Sequence, residues 1–272
     1  MDSCELFTGV FKRRNTLYIN ILQIEFPAYG LIIAMGVIIA NLLALWLLKR
    51  FKFDGNDFII LEAYTFLGAF FGAKVLYLIV SYSMIDWARI FELDYFNALM
   101  RGGFVFYGGL LGGIGACYIG GKIHHISVRR YIQYFIWLLP LIHCFGRIGC
   151  HLAGCCYGQP YNGPFSIVYH EGALAPANIE LFPVQLIEAI CLFLIAIFIL
   201  VFVLMGHASY SLEIYFIMYG IIRFVLEFFR GDSIRGKLLY LSTSQWISIL
   251  LISFSFYFFY RRRNKGLNQS ST

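Results

Sequence analysis

The sequence predicts an all-α integral membrane protein with about seven transmembrane helices and a polar cavity facing the outer leaflet. Three observations carry the prediction. Of 272 residues, 60% are hydrophobic and only 13% charged, and mean hydropathy is +0.74, whereas soluble domains carry roughly 25% charged residues. Apolar runs long enough to approach the roughly 30 Å of a hydrocarbon core fall near 27–48, 58–80, 106–121, 131–148, 184–205, 212–230 and 243–260. Charged side chains inside those runs recur where an ordinary helix would place none, and they need a wet cavity or a partner.

The first run is followed by Lys49, Arg50 and Lys52. Lys122, Arg129 and Arg130 separate the third and fourth, and Arg261, Arg262, Arg263 and Lys265 follow the seventh. An odd number of spans puts these groups on one side, the cytoplasm, and the N-terminus outside. Lys12, Arg13, Arg14, Arg89, Arg101, Arg235 and Lys237 fall on the other side. The net charge of +6 is therefore read as loop patterning towards membrane lipids, with no nucleic acid partner. No signal-peptide pattern precedes the first run, so the mature helices are expected to direct insertion. A single polytopic membrane domain over residues 1–272 follows, because no stretch is long and polar enough for a second one.

The second run contains Lys74, and the third, FVFYGGLLGGIGACYIGG, is dense in glycine. Such glycines bring helices together or let backbone approach a ligand. The fourth ends in Arg147; residues 149–183, which hold no Lys or Arg and several Pro and Gly, form a long extracytoplasmic loop. The fifth holds Glu188, which reads as structural. In the sixth, Arg223, Glu227 and Arg230 are spaced to share one helical face with net positive charge, and His143, Arg147 and Cys150 share a face of the fourth. Guanidinium forks bind phosphate bidentately and stay charged, so arginines in the outer half of a membrane fit a phospholipid headgroup.

Seven cysteines, Cys4, Cys117, Cys144, Cys150, Cys155, Cys156 and Cys191, do not make a disulfide framework. The C-x4-C-C spacing of 150–156 lacks the paired C-x2-C form of structural zinc sites. No metal is assigned and no cofactor expected. A disulfide from Cys150 to Cys155 or Cys156, or cysteine standing as a small residue beside glycine, are the other readings.

GRIGCHLAGCCYG (146–158) resembles the glycine-arginine-x-glycine signature of the prolipoprotein diacylglyceryl transferases. PAYGL (27–31), RGGFVFYGGLLGG (101–113), FPVQLIEA (182–189) and YGIIRFVLEFFRGD (219–232) are similar to four further motifs of that family, in the same order. The resemblance implies seven transmembrane helices in the bacterial cytoplasmic (inner) membrane and a site open to the extracytoplasmic side. It implies transfer of the diacylglyceryl group of phosphatidylglycerol to the thiol of a lipobox cysteine in a prolipoprotein, leaving glycerol phosphate. Its candidate catalytic residues are Arg147, Arg223, Tyr107 and His143. Its candidate substrate-binding residues are Tyr29, Gly102, Gly103, Gly108, Gly158, Gln185, Glu227 and Arg230.

Two positions depart from the family pattern. Tyr107 stands where the family carries a histidine proposed as base, and a phenol of pKa near 10 is a poor base at neutral pH. Cys150 and Cys155 replace an asparagine and a glutamate. His143, His151 or the positive field alone are then the candidates for activating the thiol, with the enzyme's own cysteines dispensable for the chemical step. The alternative is a divergent membrane relative without this transferase activity and with a cysteine-based redox or metal-binding role.

Overall fold

A computed structural model describes residues 18–21, 24–232 and 237–269; Cys4, Lys12, Arg13, Arg14 and Arg235 lie outside them. The elements are α1 (Ala28–Phe51), α2 (Gly55–Val80), α3 (Leu93–Arg101), α4 (Phe106–Ile123), α5 (Val128–Phe135), α6 (Leu138–Ala153), α7 (Val184–Phe202), α8 (Ser211–Leu226) and α9 (Thr243–Gln269). Three antiparallel strand pairs accompany them: β1 (Tyr18–Ile21) with β2 (Ile24–Pro27), β3 (Ile167–Val168) with β4 (Glu180–Leu181), and β5 (Lys237–Leu238) with β6 (Leu241–Ser242).

The fold is that of a helical membrane protein. Among the described residues, Ala28–Phe51, Gly55–Val80 and the 46-residue stretch Val184–Phe229 are long and apolar enough to cross a membrane. The α5–α6 pair makes a fourth if its 54° bend lies within one span. The apolar run at 131–148 predicts that pair as one unbroken segment. Pro140 explains the break: its ring disfavours helix at the preceding residue, and its missing N–H is harmless only in the first turn, where it sits. The 184–229 stretch is also interrupted, at Gly206 (φ 91°), which separates α7 from α8.

The chain divides into two compact units, one comprising Leu45–Ile132 and the other the described residues on either side of it. In the smaller unit α2 and α4 pack backbone to backbone. A Cβ added to Gly72 would lie 2.9 Å from the Gly112 Cα, and one on Gly108 would lie 2.6 Å from the Leu76 Cβ. The glycine-rich run thus serves close helix approach, and Gly108 lies in that seam.

Lys74, buried on α2, reaches the carbonyl oxygens at the end of α3: that of Leu99, that of Gly102 at 2.6 Å, and those of Met100 and Gly103 at 3.4 and 3.5 Å. A cation there satisfies carbonyls left open at a helix C-terminus and complements its dipole. Gly103 completes the turn at φ 69°, with no room for a Cβ against the Tyr77 ring. Lys74→Met should leave those carbonyls without a donor at a cost of about 1–3 kcal/mol. The expected result is a melting midpoint in detergent lower by several degrees, read by tryptophan fluorescence.

In the larger unit α6 packs on α7, α7 on α8, and α8 on α9. Cys144, Ala189 and Leu192 form a buried cluster against which Ile148 and Tyr219 pack. The first part of α1 meets α6 where Gly36 accommodates Phe145 and Gly149 accommodates Tyr29. The latter contact sets the Tyr29 ring beside the Arg147 turn.

Candidate active site

Three helices of the larger unit bring their charges together. Arg147 of α6 and Arg223 of α8 both face Glu188 of α7, with Arg147 Nη2 3.0 Å from Glu188 Oε1 and Arg223 Nη1 3.9 Å from Oε2. The Glu188 side chain is 1% exposed and those of Arg147 and Arg223 are 12% and 7% exposed. Glu188 is therefore the anion that the two arginines share. Its role is legible only in three dimensions, although a carboxylate in an apolar helix is itself a signal.

Each arginine is held by its own partners. Arg147 Nε donates to His143 Nε2 at 3.2 Å, one helical turn away. Arg223 Nη2 donates to Glu227 Oε2 at 2.5 Å and to Ser244 Oγ at 3.0 Å. Ser244 lies in the first turn of α9, fixed by a capping box in which Ser242 N donates to Gln245 Oε1 and Gln245 N donates to Ser242 Oγ. Nothing in the sequence pattern singles out Ser244. Glu227, one helical turn on, thus fixes the Arg223 guanidinium from its own helix.

Arg230 departs from expectation. Helix α8 ends at Leu226, residues 227–229 form a single 3₁₀ turn, and Arg230 is extended at φ −80°, ψ 141°. It does not continue the helical face of Arg223. Its guanidinium is bidentate with Asp232, at 2.8 and 2.7 Å. The predicted net-positive stripe is thus corrected: Arg147, Arg223 and Arg230 are matched by Glu188, Glu227 and Asp232.

Charge balance does not exhaust the donors. Arg223 Nη1 and Arg230 Nη1 are buried without an aligned hydrogen bond, and neither Glu188 oxygen accepts one despite the close cations. The ion pairs hold the guanidinium groups in place and leave directional N–H bonds unspent. A buried polar group without a partner costs free energy, and here it falls on two guanidinium nitrogens and on both oxygens of Glu188.

The loop after α6 completes the surroundings. Gly154, at φ 68°, ends the helix: Gly154 N bonds His151 O at 3.1 Å and Cys155 N bonds Cys150 O at 3.0 Å, a Schellman closure. The helix therefore runs five residues into the predicted 149–183 loop. Gln185, buried on α7, donates to Cys155 O at 3.0 Å and to Tyr169 Oη at 3.2 Å, so it supports this turn. Tyr169 Oη also meets His151 Nδ1 at 3.0 Å, and burial pushes the Tyr169 phenol up to about 12. Gly158 forms an isolated bridge with Arg230 and has no room for a side chain against Phe182.

The Tyr29 phenol is in electrostatic reach of Arg147 and of Cys150, Cys155 and Cys156. The sulfur atoms of those cysteines all lie within 4.8 Å of one another. Arg147, Arg223, His143, Tyr29, Gly158, Gln185, Glu227 and Arg230 all belong to this unit. Gly102, Gly103, Gly108 and Tyr107 belong to the other. Tyr107 is 43% exposed on the first turn of α4, its ring edge-on to Phe106.

Fold and site define a helical membrane protein with a buried arginine–carboxylate cluster. The family described as prolipoprotein diacylglyceryl transferase matches residues 16–261. A phosphatidylglycerol–prolipoprotein diacylglyceryl transferase of Clostridium tetani is 35% identical over 233 residues, covering 85% of this chain and 91% of that protein. A second enzyme so named from Clostridium perfringens is 33% identical over 242 residues, 86% of this chain and 90% of its own length, and that of Finegoldia magna is 28% identical over 243 residues. The chain belongs to the prolipoprotein diacylglyceryl transferase family.

Proposed function

We propose that the chain transfers the diacylglyceryl group of phosphatidylglycerol to the cysteine thiol of a lipobox-bearing prolipoprotein, with Arg147 and Arg223 gripping the departing phosphate. The observation that carries this reading is their convergence, from two helices, on Glu188 of a third, with Arg223 Nη1 left unspent. The thiolate sulfur attacks the glycerol carbon that bears the phosphate. A sulfur–carbon bond forms, the carbon–oxygen bond breaks, and its electron pair leaves on glycerol phosphate. Charge grows on the phosphate oxygens as that bond breaks, and fixed guanidinium donors there lower the barrier.

In this reading His143 positions Arg147, while Glu227 and Ser244 hold Arg223. His143 accepts the Arg147 N–H at Nε2, so that lone pair is not free to take a thiol proton. Tyr29 contacts headgroup or ester, and Arg230 and Gly158 shape the adjoining loop. Tyr107, Gly102, Gly103 and Gly108 are assigned to the lipid by resemblance alone. We place the site on the extracytoplasmic side of a bacterial inner membrane, within one polytopic domain of seven spans corresponding to α1, α2, α4, the α5–α6 pair, α7, α8 and α9. The loop beyond α6 covers it. A relative without transferase activity is disfavoured, since the buried arginines persist at on the order of 2.5–3.5 kcal/mol each.

The test is direct. Purified protein, glycerol-labelled phosphatidylglycerol and a lipobox peptide should yield a peptide heavier by one diacylglyceryl group and one equivalent of glycerol phosphate. A peptide with Ser for Cys should yield neither. An unmodified Cys peptide under conditions where the lipid is bound would overturn the reading.

A further inference from the structure

With His143 Nε2 accepting from Arg147 and His151 Nδ1 engaged with Tyr169, neither histidine offers those atoms to an incoming thiol. The three cysteines beside them supply another means of making it a thiolate. We infer that Cys150, Cys155 and Cys156 form a three-sulfur site for a zinc ion, whose fourth position takes the sulfur of the incoming lipobox cysteine. The identity of that fourth ligand rests on the transferase reading above; the zinc site does not.

The backbone explains how a C-x4-C-C spacing reaches one point. The Schellman closure bonds Cys155 N directly to Cys150 O, bringing the first and second cysteines together across the helix end. Adjacent residues in extended chain point to opposite sides. Cys156 instead has φ 58°, a strained value for a residue with a Cβ, and such strain collects at functional sites. The sulfurs lie within 4.8 Å of one another, near the roughly 3.8 Å between two sulfurs bound at about 2.3 Å to one tetrahedral zinc. Among the described residues all three are free thiols and only partly buried, so the cluster is not sealed from an incoming ligand.

The surroundings suit an anionic centre. Arg230 adjoins Cys156, and its Nη1, on a side chain 3% exposed, has no aligned partner. Arg147 lies one turn before Cys150. Gln185 and Tyr169 brace the turn, as supports behind metal ligands do. Thiolates favour zinc over oxygen-preferring ions such as magnesium and calcium, and three protein ligands with one open position mark a site that binds substrate.

The step balances. On binding zinc the lipobox thiol gives its proton to water, and the metal-bound thiolate remains nucleophilic because four sulfur ligands leave the centre with net charge −2. It attacks the glycerol carbon as described, zinc keeps its oxidation state, and the thioether product, a weaker ligand, departs.

The experiment uses the purified full-length chain. Elemental analysis should find one zinc per chain, and C155S and C156S should each lose most of it. Chelator-stripped wild type reloaded with Co²⁺ should show thiolate charge-transfer absorption and four-coordinate d–d bands. That charge-transfer intensity should rise by about one third on adding the Cys lipobox peptide but not its Ser analogue, as three thiolates become four. Arg147→Ala should keep the metal and the peptide response while losing transfer. Stripped wild type should lose at least tenfold in transfer and recover it with zinc, a comparison that needs no variant to fold. Substoichiometric zinc, a disulfide among the three, or full transfer after stripping would overturn the inference and leave the transferase reading intact. Zinc with no peptide response would overturn the substrate-ligand role. A normal peptide response with no thioether from wild type would support the metal site and sink the transferase reading instead.

Discussion

Arg147→Ala is expected to remove nearly all diacylglyceryl transfer, by a factor of about 10²–10³ or more, the range seen when one donor to a developing oxyanion is deleted. The argument is geometric. Arg147 enters from α6, is oriented by His143, and shares Glu188 with Arg223. Without it, phosphate would be met from one side only. Arg147→Lys should also fail by at least tenfold, because an ammonium keeps the charge but cannot bond His143, Glu188 and a phosphate oxygen in one plane. Initial rates on phosphatidylglycerol vesicles check both, with melting curves to confirm that the variants fold. Transfer by Arg147→Ala within threefold of wild type would refute the clamp.

Glu188→Gln should be nearly as damaging, with a loss of about 10²-fold. Sequence alone ranks Arg223→Lys as the worse of the two, but Glu188 is the carboxylate both guanidinium groups face. Removing one partner from a buried ionic cluster costs about 3–5 kcal/mol, and Arg147 would keep only His143 and Tyr219 as partners. Arg223 retains Glu227 and Ser244, so Arg223 itself should stay in place. Arg223→Lys should lose activity by about 10–10²-fold, since lysine cannot reproduce the fork. Both rates and melting midpoints should fall in Glu188→Gln; a lower melting midpoint with rates within threefold of wild type would return Glu188 to a purely structural role.

Much of the fold is legible in apolar run lengths, because spanning helices must satisfy their backbone internally and so announce themselves in composition. All seven predicted runs coincide with helical segments. The break between α5 and α6 is not visible to a hydropathy window, because the window averages Trp137 and Pro140 with Leu138, Leu139, Leu141 and Ile142. The arginines were legible as charges in costly places. What they face was not, since Glu188 and Ser244 sit on other helices and sequence spacing reports only neighbours on one helix. Arg230 was misplaced for a related reason: a helical period was extended past Leu226, where the chain unwinds and Asp232 captures the guanidinium. The cysteines of 150–156 were visible as a group, but their convergence depends on a helix-ending turn and a positive φ at Cys156, neither of which follows from the C-x4-C-C spacing.

The central claim, that Arg147 and Arg223 jointly hold a lipid phosphate, is met most directly by an electron cryomicroscopy map of the protein in nanodiscs containing phosphatidylglycerol. The account predicts phosphate density within about 2.7–3.0 Å of guanidinium nitrogens of both residues, with Arg223 Nη1 now bonded. Lipid phosphate bound elsewhere, with both arginines closed on Glu188 alone, would contradict it.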